Sequence, residues 1–230
     1  MSPWGPIDAR LDGRARTADS IYSTFNFANM PYNSWTPGSL PPFGLRHSFR
    51  TARSGQISWT HIFSAQLVNA ERMGFTRQKN SIRTPYIGSD ILRQVGMQGV
   101  STVGLPTVPE IAISGITTAT EVPFLVFPIT GYQWTDNLTW TRGEHTPRIG
   151  LTVVRDHVAN TSGSGTNYGL YNFSGTFTGS PYADFLLGLP QTTSLDTPNP
   201  PSHSFGNWWN AYAQDHWKMR PALTLDYGLR

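Results

Sequence analysis

The chain has 230 residues, of which 38% are apolar, 13% aromatic and only 13% charged, with a net charge of +3; an average globular protein carries about 25% charged residues. Cysteine is absent, which excludes disulfides and thiolate chemistry, and no run of about 18 apolar residues exists to make a transmembrane helix. The basic residues, all arginine except Lys79 and Lys218, stand singly along the chain, which excludes the basic stripe of a nucleic-acid-binding protein.

The opening Met1-Ser2-Pro3-Trp4-Gly5-Pro6 has neither the basic head nor the apolar core of a secretory leader. Strand patterning then begins at once. Ile7, Ala9 and Leu11 alternate with Asp8, Arg10 and Asp12, and Ile21, Ser23, Phe25 and Phe27 alternate with Tyr22, Thr24 and Asn26. Ile57, Trp59, His61 and Phe63 oppose Gln56, Ser58 and Thr60. Tyr132, Trp134, Asp136, Leu138 and Trp140 oppose Gln133, Thr135, Asn137, Thr139 and Thr141, and Ile149, Leu151 and Val153 continue the pattern. A short helical turn fits Tyr182–Leu187. The final run places Leu223, Leu225, Tyr227 and Leu229 on one side and Thr224, Asp226, Gly228 and Arg230 on the other, because successive strand side chains point to opposite faces. This pattern predicts about eight or nine strands and no long amphipathic helix.

Four connections are short: Thr17–Ser20, Ser64–Gln66, Arg142–His145 and Met219–Pro221. Between the hairpins they make lie long irregular stretches, about 20 residues after Asn29, about 50 after Lys79, and another after His157. Compact soluble domains rarely hold structureless loops of that length. Short turns alternating with long loops are the plan of an outer-membrane barrel, with turns on the periplasmic side and loops outside. On that plan Leu138, Trp140, Leu151, Leu223, Leu225 and Tyr227 face lipid, and Thr139, Thr152, Thr224 and Asp226 face the interior. Trp134, Trp140, Trp208, Trp209 and Trp217 fall near expected strand ends, where interfacial aromatic girdles sit. The segment 79–129 is expected to project from one end with little pairing to the wall.

The run Trp209–Arg230, containing Gln214-Asp215-His216-Trp217-Lys218 and Leu223-Thr224-Leu225-Asp226-Tyr227-Gly228-Leu229-Arg230, resembles a hairpin of TonB-dependent outer-membrane receptors. It is most similar to the Oar-like receptors that carry a carboxypeptidase-regulatory-like N-terminal domain. Ile7–Asp12, Phe63–Asn69, Gly74–Arg77, Asp136–Gly150, Phe173–Gly179 and Ala183–Pro190 resemble further blocks of that family in the same order, across about residues 7–230. The resemblance implies an all-β antiparallel up-and-down meander, part of a transmembrane β-barrel that closes with about 22 strands around a plug. It also implies energised uptake, in which TonB pulls the plug after a scarce or bulky ligand binds. Glu71 departs from the family, which has an apolar residue there; a carboxylate facing mid-bilayer is unfavourable, so Glu71 is expected near a rim or in an irregular stretch. Nothing matches the plug, the TonB box or the terminal aromatic strand, and the last strand stops in mid-motif, so the chain is expected to be an internal piece of a longer protein.

No catalytic constellation emerges, so no enzyme is expected. The six histidines, at 47, 61, 145, 157, 203 and 216, show no paired-ligand spacing, and a turn or lumen-rim role outweighs metal binding for His145. His216 and Asp215 are neighbours on a strand and point to opposite faces. Ser162–Gly169 is glycine-rich, but no phosphate-binding helix start follows it, and it reads as a flexible surface loop. The reading is therefore a single region, 1–230, of receptor barrel in the outer membrane, with no catalytic, cofactor-binding or metal residues and no assigned ligand contacts. Its expected partners are outer-membrane lipid, the rest of its barrel and plug, TonB through that plug, and an unidentified ligand, without nucleic acid. A small stand-alone barrel or adhesin and a soluble carbohydrate-binding β-sandwich remain as alternatives.

Overall fold

The repeated alternation builds one long antiparallel meander in the computed structural model, which describes residues 6–36, 43–100, 107–119, 121, 124–197 and 199–230. In chain order the strands are β1 (Ile7–Arg16), β2 (Asp19–Trp35), β3 (Leu45–Ser64), β4 (Leu67–Arg83), β5 (Glu110–Ile113), β6 (Thr117–Ala119), β7 (Leu125–Trp140) and β8 (His145–Ser162). They continue as β9 (Leu170–Phe173), β10 (Thr192–Ser194), β11 (Ser202–Arg220) and β12 (Leu223–Leu229), with short helices α1 (Ile91–Gln94) and α2 (Pro181–Leu186). Eight of them form an open wall in the order β1-β2-β3-β4-β7-β8-β11-β12, each antiparallel to its neighbour. β1 and β12 are its two edges.

Cross-strand partners share a face, so the register assigns every side chain. One face carries Phe25, Ile57, Met73, Trp134, Leu138, Leu151, Trp209, Leu225 and Tyr227, because Leu138 pairs with Ile149, Leu151 with Ala211, and Trp217 with Leu225. The other carries Asn26, Gln56, Thr135, Thr139, Thr152, Tyr212, Thr224 and Asp226. The expected outward and inward sets therefore separate as the alternation requires. No second sheet covers the apolar face among the described residues, and Leu225, Tyr227 and Ile149 stay about half exposed. A soluble sandwich would bury that face, so this alternative falls.

The four short turns come out where expected and cluster at one end, since each joins consecutive wall strands of the meander. The long loops differ. The expected loop over 30–49 is mostly strand: β2 and β3 stay paired out to Trp35 opposite Leu45. Likewise β4 runs to Arg83 and β7 starts at Leu125, so both ends of the 79–129 segment belong to the wall, and β8 continues to Ser162. Residues 37–42, 101–106, 120, 122 and 123 of these expected loops lie outside the described residues, as do 1–5 of the opening segment. The extensions escaped detection because they lack the alternation of apolar and polar residues: Leu125–Ile129 is apolar throughout, and small polar residues such as Ser48 and Ser81 are the buried ones.

What remains of the loops is not structureless. β10, β9, β5 and β6 form a second, four-stranded sheet in that order, with β5 parallel to β9. It has its own small core of Val108, Ile113, Tyr168 and Phe173, each no more than 7% exposed. Apart from Ala159, the buried apolar side chains among the described residues belong to this loop assembly. The wall holds by pairing, the cap by packing.

Candidate functional site

The polar face of the wall holds a shallow hollow of about 460 Å³, lined among others by Asn26, Ser54, Gln56, Arg72, Thr76, Gln133 and Asp156. Side chains on this face bond across the strands: Asn26 Nδ2 donates to Ser54 Oγ at 3.1 Å, Thr135 and Thr152 share a hydroxyl hydrogen bond at 3.2 Å, and Tyr212 Oη donates to Asn137 Oδ1 at 2.8 Å. Two glycines make room. A Cβ on Gly131 would stand 2.8 Å from Asp156 Oδ1, and one on Gly150 would stand 2.1 Å from the Tyr212 ring. The ring of Tyr212 thus lies across the position a side chain would take. The chemistry offered is that of neutral amides and hydroxyls with one arginine and one carboxylate, suited to hydrogen bonding a polar surface.

The loop cap stands at the end of the wall opposite the short turns. Asp184, fully buried, organises its α2 corner. Its carboxylate accepts the backbone N–H of Phe177 and Thr178 at 3.2 and 2.9 Å and the Thr178 hydroxyl at 2.7 Å. Burial by itself would raise its pKa, but these donors favour the charged form and hold it below the usual carboxylate range. The helical turn expected at Tyr182–Leu187 is present as α2, started by Ser180, whose Oγ accepts the Ala183 N–H, and by Pro181. The glycine-rich Ser162–Gly169 segment, read as a flexible loop, is instead a pinned turn. Asn167 Oδ1 accepts the Ser164 N–H at 2.6 Å, and Asn167 Nδ2 donates to the Asp196 carbonyl at 3.0 Å. Tyr168 closes it from below, accepting the Phe124 N–H at 3.1 Å. Burial pushes the Tyr168 hydroxyl up to about 12.

The apolar face carries carboxylates, and each has a donor. Glu71 is neither at the rim nor in an irregular stretch: β4 is regularly paired through it, and it lies directly across from Asp136. Trp134 Nε1 donates to its Oε1 at 2.6 Å, and Asn69 Nδ2 donates to Asp136 at 2.7 Å. Nearer the turns, His61 and Trp59 donate to Asp19 at 2.6 and 2.9 Å, and His145 and Tyr227 donate to Asp215 at 2.6 and 2.9 Å. His145 therefore plays its turn role on the apolar face, stacked on Trp217 at 5.1 Å, and not at the lumen rim. As anticipated, His216 does not meet Asp215; it bonds Asp226 at 2.7 Å on the polar face. Of the five expected girdle tryptophans, Trp134, Trp140, Trp209 and Trp217 share the apolar face, whereas Trp208 sits on the polar face opposite Val154.

No group of three or more metal-ligating side chains comes together among the described residues. The cross-strand donors to Glu71 and Asp136 lie 63 and 67 residues away in sequence, so no local signal could have found them.

A family model described as "Outer membrane beta barrel domain" matches residues 5–230. No curated protein matches the sequence. Among solved structures, that of the outer membrane transporter YddB from Escherichia coli is similar, with a TM-score of 0.66 and 11% identity over 96% of this chain and 26% of that one. At that identity the likeness speaks for the fold, and the chain spans about a quarter of the transporter's length.

Proposed function

Since the chain belongs to the outer membrane β-barrel domain family and sits in the outer membrane, we propose that it forms part of the wall of a TonB-dependent receptor of the Oar-like kind. The observation that carries the reading is a two-faced open sheet, apolar on one side and hollowed and polar on the other, ending in a separately packed loop cap. Its unpaired edges, β1 and β12, suit a wall that other strands complete. In this scheme the chain is not an enzyme and needs no cofactor. Its cap meets an incoming ligand and its polar face beds the plug, whose hydrogen-bonding surface the amides and hydroxyls match. TonB, energised from the inner membrane, then draws the plug and opens the path. The seven sequence blocks that resemble that receptor family, in its order, support the finer assignment.

The test is cysteine labelling in cells producing the receptor whose wall includes this chain. A membrane-impermeant thiol reagent added outside should label Thr193→Cys in the cap at all times. It should label Thr152→Cys on the polar face only when the proton gradient is intact. Equal labelling of Thr152→Cys with and without a protonophore would remove the TonB-driven reading and leave a passive barrel.

A further inference from the structure

We infer that the lipid-facing side of the wall carries, at its loop end, a binding site for the phosphate groups of outer-leaflet lipid, formed by Arg53, Arg77, Lys79 and Arg155. The register brings these four onto one face. Arg53 is the direct cross-strand partner of Arg77, and Lys79 follows two residues later on the same side of β4. Arg155 pairs with Tyr132, which in turn pairs with Phe75, the residue two before Arg77 on the same face. All four are exposed, and none has an ion-pair partner among the described residues. Like charges placed directly opposite on a sheet repel, so the Arg53–Arg77 pair calls for an anion from outside the chain.

Two features say which anion. The first is where the chain keeps its own negative charge on this face: Asp19, Glu71, Asp136 and Asp215 all lie toward the short turns, and no carboxylate shares the face near the four cations among the described residues. The second is depth. Arg53, Arg77 and Arg155 lie about ten or eleven residues from the short-turn end of their strands, on the order of 33–36 Å along a strand at about 3.3 Å per residue. With the usual strand tilt of about 40° that is roughly 25–28 Å across the membrane, at the outer edge of an apolar band about 25 Å tall. The cations therefore continue the lipid interface directly, with Phe75 two residues below Arg77 on β4, Tyr132 beside Arg155, and the Arg53 guanidinium 5.5 Å from the Phe27 ring. Lipid phosphate is the anion found at that level, and guanidinium forks engage phosphate oxygens in pairs. This inference rests on the membrane placement of the wall and not on TonB-driven transport.

The experiment uses the full 230-residue chain folded in zwitterionic detergent, titrated with mixed micelles containing phosphatidic acid or phosphatidylcholine and followed by tryptophan emission. The variant R53Q/R77Q/K79Q/R155Q should lose affinity for phosphatidic acid by about tenfold or more, given the contribution of each basic side chain near an anionic surface. The variant R14Q/R46Q/R50Q/R148Q removes the same charge from the polar face and should lose less than about twofold. Equal losses in the two variants, or no loss in the first, would overturn the site. Circular dichroism checks folding; if the first variant does not fold, R53Q/R77Q and K79Q/R155Q are titrated separately, and each must weaken phosphatidic acid binding more than the polar-face variant does. The phosphorus content of lipid co-extracted with the wild-type chain from outer membranes should exceed that of the lipid-face variant, and equality would also overturn it.

Discussion

At the scale of single residues, the sheet depends on what is missing as much as on what is present. Gly150 lets Tyr212 lie across it and reach Asn137, so Gly150→Val would drive a Cβ into that ring. We expect a loss of about 1–3 kcal/mol, the usual range for overpacking, read from urea unfolding in detergent. Combined with Tyr212→Ala the loss should be clearly less than additive; full additivity would mean the contact is not made. Asp184 gives a pH signature. Its folded pKa lies below its unfolded value of about 3.9, so it stabilises the cap above that pH and the contribution fades as pH falls through the folded value. The protection of the Phe177 and Thr178 amides, relative to their intrinsic exchange at each pH, should fall on acidification through that range, and Asp184→Asn should flatten the response. An unchanged pH profile in the variant would assign the ordering to other groups. The sequence showed the segment Ala183–Pro190 as a motif but not that its aspartate is buried, because burial depends on a loop that folds back on it.

At the scale of elements, wall and cap are held by different forces. Wall strands run to as many as 20 residues and are stapled by long ladders, while cap strands are only 3 or 4 residues long and need the Val108–Phe173 core. This division places loops and turns at opposite ends. In intact cells a membrane-impermeant reagent should reach cysteines at Ile116 and Thr193 and should miss those at Gln66, Gly143 and Arg220. The reverse pattern would invert the topology. The strands and short turns were legible in the sequence because alternation and turn residues are local. The second sheet was not: β5 joins β9 in parallel from a loop more than 50 residues distant, and its short strands carry no alternation long enough to recognise.

At the scale of the whole molecule, the sheet is open and one face is greasy. Leu223, Leu225, Tyr227 and Leu229 on the edge strand β12 are between 45% and 83% exposed, and burying each such side chain is worth roughly 1.5–3 kcal/mol. Two unpaired edges invite further pairing with other chains. Without detergent the purified chain should therefore associate, giving polydisperse light scattering and no cooperative melt, and micelles should restore a single species. A monodisperse 25.5 kDa particle in plain buffer would mean that the apolar face is covered.

By itself the sequence determined the class of the fold, the wall's hairpins, their short turns and which side chains share a face, since a period of two is written residue by residue along each strand. It also determined membrane residence, because that alternation supplies one apolar face and long loops beyond it. Only the tertiary structure decided where the strands end, how two distant loops build a cap, which indole satisfies Glu71, and that Arg53, Arg77 and Arg155 stand together at one depth. Those features depend on register between strands far apart in the chain, and register is set by the pairing of whole strands and not by any local pattern.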